Sequence, residues 1–79
     1  MTTLEQFQAI VREHMGDDSI VVTEDMQLTD DMGVDSYDLA VVVATVEQHF
    51  GIDVDYQAAM QLQNAGDVVR YIDETKSKM

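Results

Sequence analysis

A serine flanked by acids follows a glycine shortly before a helical pattern begins, in the segment Met32-Gly33-Val34-Asp35-Ser36-Tyr37-Asp38-Leu39. Asp35 can cap a helix that starts at Ser36, and the first amides of a helix are unpaired donors at the positive end of its dipole. A phosphodiester attached to Ser36 would therefore gain both hydrogen-bond donors and a favourable field. Asp and Ser are also what ordinary helix capping prefers, so this segment alone does not establish a site.

A serine hydrolase is a different reading of the same residue. It would need a general base and an oxyanion hole near Ser36. The chain has two histidines, His14 and His49, and no Gly-x-Ser-x-Gly segment. His49 would lie about 20 Å further along the helix that begins at Ser36, at about 1.5 Å per residue. Both histidines are expected to be solvated at helix ends, and the chain is not expected to be an enzyme.

Metal chemistry finds no support in the spacing of the acids. An EF-hand calcium loop requires glycine at its sixth position, and placing Gly33 there makes Leu28, which has no side-chain oxygen, the first ligand. The chain contains no cysteine, which rules out thiolate ligands and disulfides. No metal site is expected.

The net charge of the chain indicates which classes of partner it can bind. Sixteen Asp and Glu face four Lys and Arg, for a formal net charge of -12, and residues 13–69 hold thirteen acids without a single Lys or Arg. Such a field repels nucleic acid and attracts basic patches on other proteins, although acids also serve solubility alone. No apolar run approaches the roughly 18 residues of a membrane span. The acidic N-terminus does not resemble a secretion signal, so a cytoplasmic location is the default.

Two long helices are predicted in the first two thirds of the chain. The first runs from Thr3 to Met15, with Thr3 and Gln6 as a capping box and Gly16 as its stop. Its apolar face consists of Leu4, Phe7, Ile10, Val11 and Met15. The second runs from Ser36 to Phe50, ends at Gly51, and carries a regular stripe of Leu39, Val42, Val43, Val46 and Phe50.

The remaining segments complete one domain, residues 1–79. In residues 16–35 the apolar residues have no regular spacing, which predicts a long loop. The apolar residues themselves predict that this loop is pinned across the helices. Asp55 caps a short helix from Tyr56 to about Gln61. Asn64 and Asp67 open a last helix with Ala65, Val68, Val69 and Ile72 on its buried face, and the tail Glu74–Met79 is expected to fray. The fold class is all-α, a small four-helix bundle of three longer helices and one short helix.

Motif, length and helix frame together resemble the acyl carrier protein family over residues 3–73. The family pattern is Gly-x-Asp-Ser-Leu after a long loop, and Gly33, Asp35 and Ser36 stand in those places. Further similar segments are Glu47-Gln48-His49-Phe50, Ile52-Asp53-Val54 and Tyr71-Ile72. The resemblance implies that a transferase attaches 4'-phosphopantetheine from coenzyme A to Ser36, with Asp35 as a flanking motif residue. The thiol of the arm would carry the acyl group, which explains how a chain without cysteine could hold a thioester.

The resemblance also predicts how partners dock. Tyr37 replaces the usual leucine, and Val41, expected to face solvent, stands where the family often has an acid. The predicted docking residues are Tyr37, Asp38, Val41 and Glu47, and the expected partners are the transferase and acyl-processing enzymes with basic patches. Acyl chains of the family can fold back between the helices, near helix two, Met60 and Leu62 in this chain, although such stripes are ordinarily core.

Three functions stay open at this point. The first is a monomeric carrier for fatty-acid or polyketide type biosynthesis. The second is an aminoacyl or peptidyl carrier of a dedicated pathway, which shares the serine at a helix start. The third belongs to another class, an acidic helical interaction module with no prosthetic group.

Overall fold

The computed structural model of the protein describes residues 1–78 and contains four helices in that range. They are α1 (Thr3–Met15), α2 (Ser36–Phe50), α3 (Tyr56–Ala59) and α4 (Ala65–Ser77). The predicted all-α bundle of three longer helices and one short helix, with a long loop after the first, is confirmed. None of these helices combines the length and the apolar character needed to cross a membrane.

The core lies where α1 packs against both α2 and α4. Phe7, Val11 and Ile72 are its most deeply buried large side chains. The other buried apolar residues come from all four helices and the loop: Ile10, Val22, Leu28, Met32, Val34, Val42, Val43, Val46, Ile52, Ala59, Ala65 and Val68. The predicted stripes are thus largely core, as helical spacing implies. Leu4, Leu39 and Phe50 are half-buried and pack against this core. Met15, which is exposed, and Val69, which is half-buried, are not part of it.

The capping box of α1 lies one residue earlier than predicted. Thr2 Oγ1 accepts the Glu5 amide at 3.1 Å, and Glu5 Oε1 accepts the Thr2 amide at 2.9 Å. The Thr3 hydroxyl instead donates to Asp73 Oδ1 of α4 at 2.6 Å. Because the Thr3 side chain joins two helices, its neighbour takes the capping role.

The two C-terminal helices also end differently from the prediction. α3 stops at Ala59 rather than Gln61, because the Gln61 amide bonds back three residues, to Ala58, instead of four. α4 continues to Ser77, so the expectation of a frayed tail from Glu74 is wrong for the described residues; Met79 lies outside them. Thr75 and Ser77 help to hold this last turn by donating to carbonyls four residues earlier.

The long loop is pinned to the start of α4. The amides of Ala65 and Gly66 donate to the carbonyls of Met26 (3.0 Å) and Glu24 (2.8 Å), so loop carbonyls satisfy the first free amides of this helix. A Cβ at Gly66 would stand 3.0 Å from the Glu24 oxygen, which explains why glycine suits this close approach. The loop is therefore an ordered part of the bundle, as predicted.

Candidate functional site

A compact turn directly precedes α2 and sets where that helix begins. The Gln27 amide donates to Asp31 Oδ2 at 2.7 Å, and the Gln27 carbonyl accepts the Asp31 amide at 3.0 Å. The turn closes where the Val34 amide donates to the Leu28 carbonyl at 2.9 Å, and both of these side chains are buried. Gly33 lies between them at φ 69°, a left-handed conformation that other residues rarely adopt. The position of α2 therefore follows from a locked turn.

Two aspartates fix the residue at which α2 begins. Asp35 Oδ1 accepts the Asp38 amide at 2.9 Å, and Asp38 Oδ2 accepts the Asp35 amide at 3.3 Å. Ser36 is then the first helical residue, and its side chain is exposed. Among the hydrogen bonds of residues 1–78, none uses the amides of Ser36 and Tyr37, in contrast to the occupied amides at the start of α4. This end of α2 keeps two donors and the positive dipole end available.

The Ser36 hydroxyl also differs from those of the other two serines. Ser19 Oγ donates to Asp17 Oδ1 at 2.6 Å, and Ser77 Oγ donates to the Asp73 carbonyl at 2.9 Å. Within the described range, Ser36 Oγ makes no hydrogen bond. It is thus an exposed, unengaged hydroxyl beside free amide donors, which is an arrangement that suits a phosphodiester.

An open groove of about 370 Å³ leads away from Ser36. The Tyr56 hydroxyl donates to the Ser36 carbonyl at 3.3 Å, which joins α3 to the start of α2 beside this groove. The groove is lined by Leu28, Thr29, Val34, Asp35, Ser36, Leu39, Tyr56, Met60 and Leu62. Its apolar side chains and its position beside Ser36 suit an extended, flexible chain attached at the serine.

Behind the groove, a cavity of about 40 Å³ lies inside the bundle. Leu28, Val34, Leu39 and Leu62 line both spaces. The cavity wall is completed by core residues of all four helices and Val54, as expected for helix two and Leu62. Met60 lines only the groove and is 60% exposed, so its predicted place in the cavity wall is wrong.

The four predicted docking residues differ in their surroundings. Tyr37 is 75% exposed beside Ser36. Glu47 Oε2 accepts the Val54 amide at 3.0 Å, which ties α2 to the link before α3. The expectation that Val41 faces solvent is wrong, because it is half-buried in a cleft between α1 and α2.

Asp38 is engaged by the end of α1. His14 Nε2 lies 2.7 Å from Asp38 Oδ1. This hydrogen bond, followed by the one from the Asp35 amide, lowers the pKa of Asp38 below its usual range. The prediction that both histidines are solvated is therefore wrong for His14; His49 is exposed and contacts Gln6. Sequence reasoning missed the pair because its members are 24 residues apart and no local pattern links them.

A histidine paired with an aspartate supplies part of a catalytic triad, but the serine is missing from it. No hydrogen bond in residues 1–78 connects Ser36 Oγ with His14 or His49. In the same range, no three His, Cys, Asp or Glu side chains are grouped closely enough to hold a metal ion.

Comparison with known proteins agrees with this geometry. Residues 5–72 match the family model described as "Phosphopantetheine attachment site". The acyl carrier proteins of Helicobacter pylori (strain ATCC 700392 / 26695) and Helicobacter acinonychis (strain Sheeba) are 33% and 34% identical over 76 residues, covering 96% of this chain and 97% of each relative. The solution structure of holo acyl carrier protein from Geobacter metallireducens superimposes with a TM-score of 0.85 at 28% identity, covering 99% of this chain and 90% of that one.

The fold match extends to more distant relatives. Acyl carrier protein from Thermotoga maritima shares the fold at a TM-score of 0.83 and 21% identity, covering 95% of this chain and 87% of that one. The prosthetic group is a covalently attached 4'-phosphopantetheine. Proteins of this kind work with phosphopantetheinyl transferase and acyl-processing enzymes, as carriers rather than catalysts. The match over most of the chain, together with relatives above 30% identity, shows that this chain belongs to the acyl carrier protein family.

Proposed function

We propose that the 4'-phosphopantetheine arm is attached to the Ser36 hydroxyl oxygen and that the protein presents acyl thioesters to biosynthetic enzymes. The observation that carries this proposal is the exposed, unengaged Ser36 hydroxyl at the first residue of α2. In the attachment step, the serine oxygen forms a bond to phosphorus as the nucleotide part of coenzyme A leaves, and the hydroxyl proton is lost. The free amides of Ser36 and Tyr37 are donors available to the resulting phosphodiester.

The residues around Ser36 fit this group. The arm is a flexible chain whose terminal thiol supplies the thioester when bound, and the groove lined by Leu28, Met60 and Leu62 gives it an apolar surface to lie against. Asp35 fixes the start of the helix, so it sets which hydroxyl and which amides meet the phosphate. The chain itself needs to supply only position and donors.

Intact mass tests the attachment site. The chain is incubated with coenzyme A and a broad-range phosphopantetheinyl transferase, and one phosphopantetheine is expected to be added. Ser36→Ala should abolish the gain, whereas Ser19→Ala and Ser77→Ala, which remove the engaged hydroxyls, should keep it. An unchanged mass of the wild-type chain would instead favour an interaction module without a prosthetic group. A gain that survives Ser36→Ala would assign the arm to another residue.

The interior cavity favours an acyl group of the fatty-acid or polyketide type over an aminoacyl group. Its wall is apolar apart from Tyr71, whose hydroxyl accepts the Asp55 amide at 3.1 Å. An aminoacyl thioester carries an ammonium group, and bringing that charge into an apolar space without a partner is unfavourable. A butyryl chain should therefore raise the melting temperature above that of the thiol form, and an alanyl group should not. Equal melting temperatures would contradict this choice.

The partners are proposed to carry basic patches, because residues 13–69 provide thirteen acids and no Lys or Arg. Association with the transferase should slow as salt rises, since screening shortens the reach of charge. Salt-independent association kinetics would contradict the electrostatic part of the proposal. We also propose a monomer, to be checked by sedimentation, and a cytoplasmic location, where coenzyme A is available.

A further inference from the structure

The hydrogen bond between His14 and Asp38 joins two helices beside the proposed attachment site. His14 lies in the last turn of α1 and Asp38 in the first turn of α2, two residues after Ser36. Their side chains are 19% and 23% exposed, so the pair is partly covered but within reach of solvent. In residues 1–78, the ion pair of Arg70 with Asp67 lies within α4 and joins no second helix.

Each oxygen of the Asp38 carboxylate already has one partner. Oδ1 faces His14 Nε2 at 2.7 Å, and Oδ2 accepts the Asp35 amide at 3.3 Å. A carboxylate oxygen can accept a second hydrogen bond, but only 23% of the Asp38 side chain is exposed, so a basic group that approaches Oδ1 competes with the imidazole for space and for hydrogen bonding. The lowered pKa of Asp38 agrees with a carboxylate that already has partners.

We propose that His14 is a positioning residue that partly covers the Asp38 carboxylate, so a basic group of a partner enzyme competes with the imidazole for Asp38. The inference rests on the proposed function, because it concerns the docking face around Ser36. The imidazole has somewhere to move, since it borders a cleft between α1 and α2 that is also lined by Glu13 and Thr45. The contact between His14 and Asp38 therefore weakens the binding of a partner's basic group to Asp38, compared with an acid that has no such contact.

Transferase kinetics test this competition. With the full chain as the varied substrate, His14→Ala should lower KM by about 2- to 5-fold and leave kcat unchanged. The range follows from about 0.4 to 1 kcal/mol for a partly exposed pair, at 1.4 kcal/mol per tenfold. The same change made in Asp38→Asn protein should have no effect, because the acid that His14 covers is gone. His49→Ala, the same chemical change at the far end of α2, is the matched control and should behave as wild type.

Three results would overturn the proposal: a KM that stays unchanged or rises in His14→Ala, a fall of equal size in the Asp38→Asn background, or an equal fall in His49→Ala. These outcomes are distinct from failure of the proposed function, in which the wild-type chain gains no mass. Far-UV circular dichroism checks that each variant keeps its helices.

A measurement on the wild-type chain covers the case in which His14→Ala does not fold. Titration with the transferase should shift the ring resonances of His14, because docking breaks its bond to Asp38. The His49 ring serves as the internal control. Docking that leaves the His14 resonances unchanged would overturn the proposal.

Discussion

Leu28 connects the stability of the bundle to the shape of the site. Its side chain is 6% exposed and lines both the interior cavity and the groove beside Ser36. Its backbone holds the long loop at two points, because its amide donates to the Gln63 carbonyl at 3.0 Å and its carbonyl accepts the Val34 amide at 2.9 Å. Leu28→Ala removes the buried side chain and part of the groove wall, but it leaves these backbone bonds, the Ser36 hydroxyl and the free amides of α2 unchanged.

The expected cost can be worked from burial. Leu28→Ala removes three carbon atoms, and at roughly 0.8 kcal/mol each their loss gives about 2.4 kcal/mol of lost transfer free energy. The truncation also leaves an empty space beside the cavity of about 40 Å³, which adds to the loss of stability. In total, Leu→Ala changes in protein cores cost about 2.7 to 5.0 kcal/mol. We expect about 3 kcal/mol. A domain of this length is stable by about 4 to 12 kcal/mol, at roughly 0.05 to 0.15 kcal/mol per residue, so the loss is a large share.

Urea unfolding followed by circular dichroism measures the change. The midpoint should fall for Leu28→Ala while the slope of free energy against urea stays the same, which indicates lost stability rather than a changed unfolded state. Met60→Ala is the matched control, because it truncates a side chain of similar size in the same groove at 60% exposure, and it should cost less than about 0.5 kcal/mol. A Leu28→Ala cost below about 1 kcal/mol, or equal costs for both, would refute the view that the buried Leu28 pins the loop.

Three further changes test the contacts that frame the site. Asp35→Ala should cost about 1 kcal/mol of stability and Asp35→Asn much less, because Asn also caps; equal urea midpoints would contradict the capping role. Gly66→Ala should lower the free energy of unfolding by about 1 kcal/mol, because overpacking against the Glu24 carbonyl outweighs the gain in helix propensity. A raised urea midpoint would contradict this and show that the loop moves to make room. The pKa of Asp38 is lowered, so its stabilisation is full above the usual carboxyl value of about 3.9 and is lost as pH falls through the lower folded value. Stability measured between about pH 5 and 2 should therefore fall less steeply in Asp38→Asn; an unchanged slope would contradict this.

Local chemistry explains why most helix starts could be predicted from the sequence. Asp35, Asp55 and Asn64 each accept an amide two or three residues ahead, so the signal and the structure lie in the same short segment. The start of α1 at Thr3 was predicted correctly, but its capping box was placed one residue too late, because Thr2 and Thr3 are adjacent and Thr3 instead contacts Asp73. That contact spans 70 residues, and no local rule contains it.

The features of the site also divide into those set by neighbouring residues and those set by packing between helices. The exposure of Ser36 follows from its place at the first residue of a capped helix, which is a local property. The contacts of His14 with Asp38 and of Tyr56 with the Ser36 carbonyl depend on how α1 and α3 pack against α2. The order of the loop was predicted from its apolar residues, but its attachment to Ala65 and Gly66 required the structure.

The acids of this chain have more than one use. A net charge of -12 suggests either solubility or docking when the sequence is read alone. In the structure, Asp31, Asp35, Asp38, Glu47 and Asp67 each accept backbone amides in the loop or at helix ends. Carboxylates at helix starts are favoured there by free amides and the dipole, independently of any partner. A carboxylate that accepts one amide keeps further acceptor sites, so an acid engaged in this way can serve both the fold and docking. A neutralising substitution at an engaged acid will therefore report stability as well as binding.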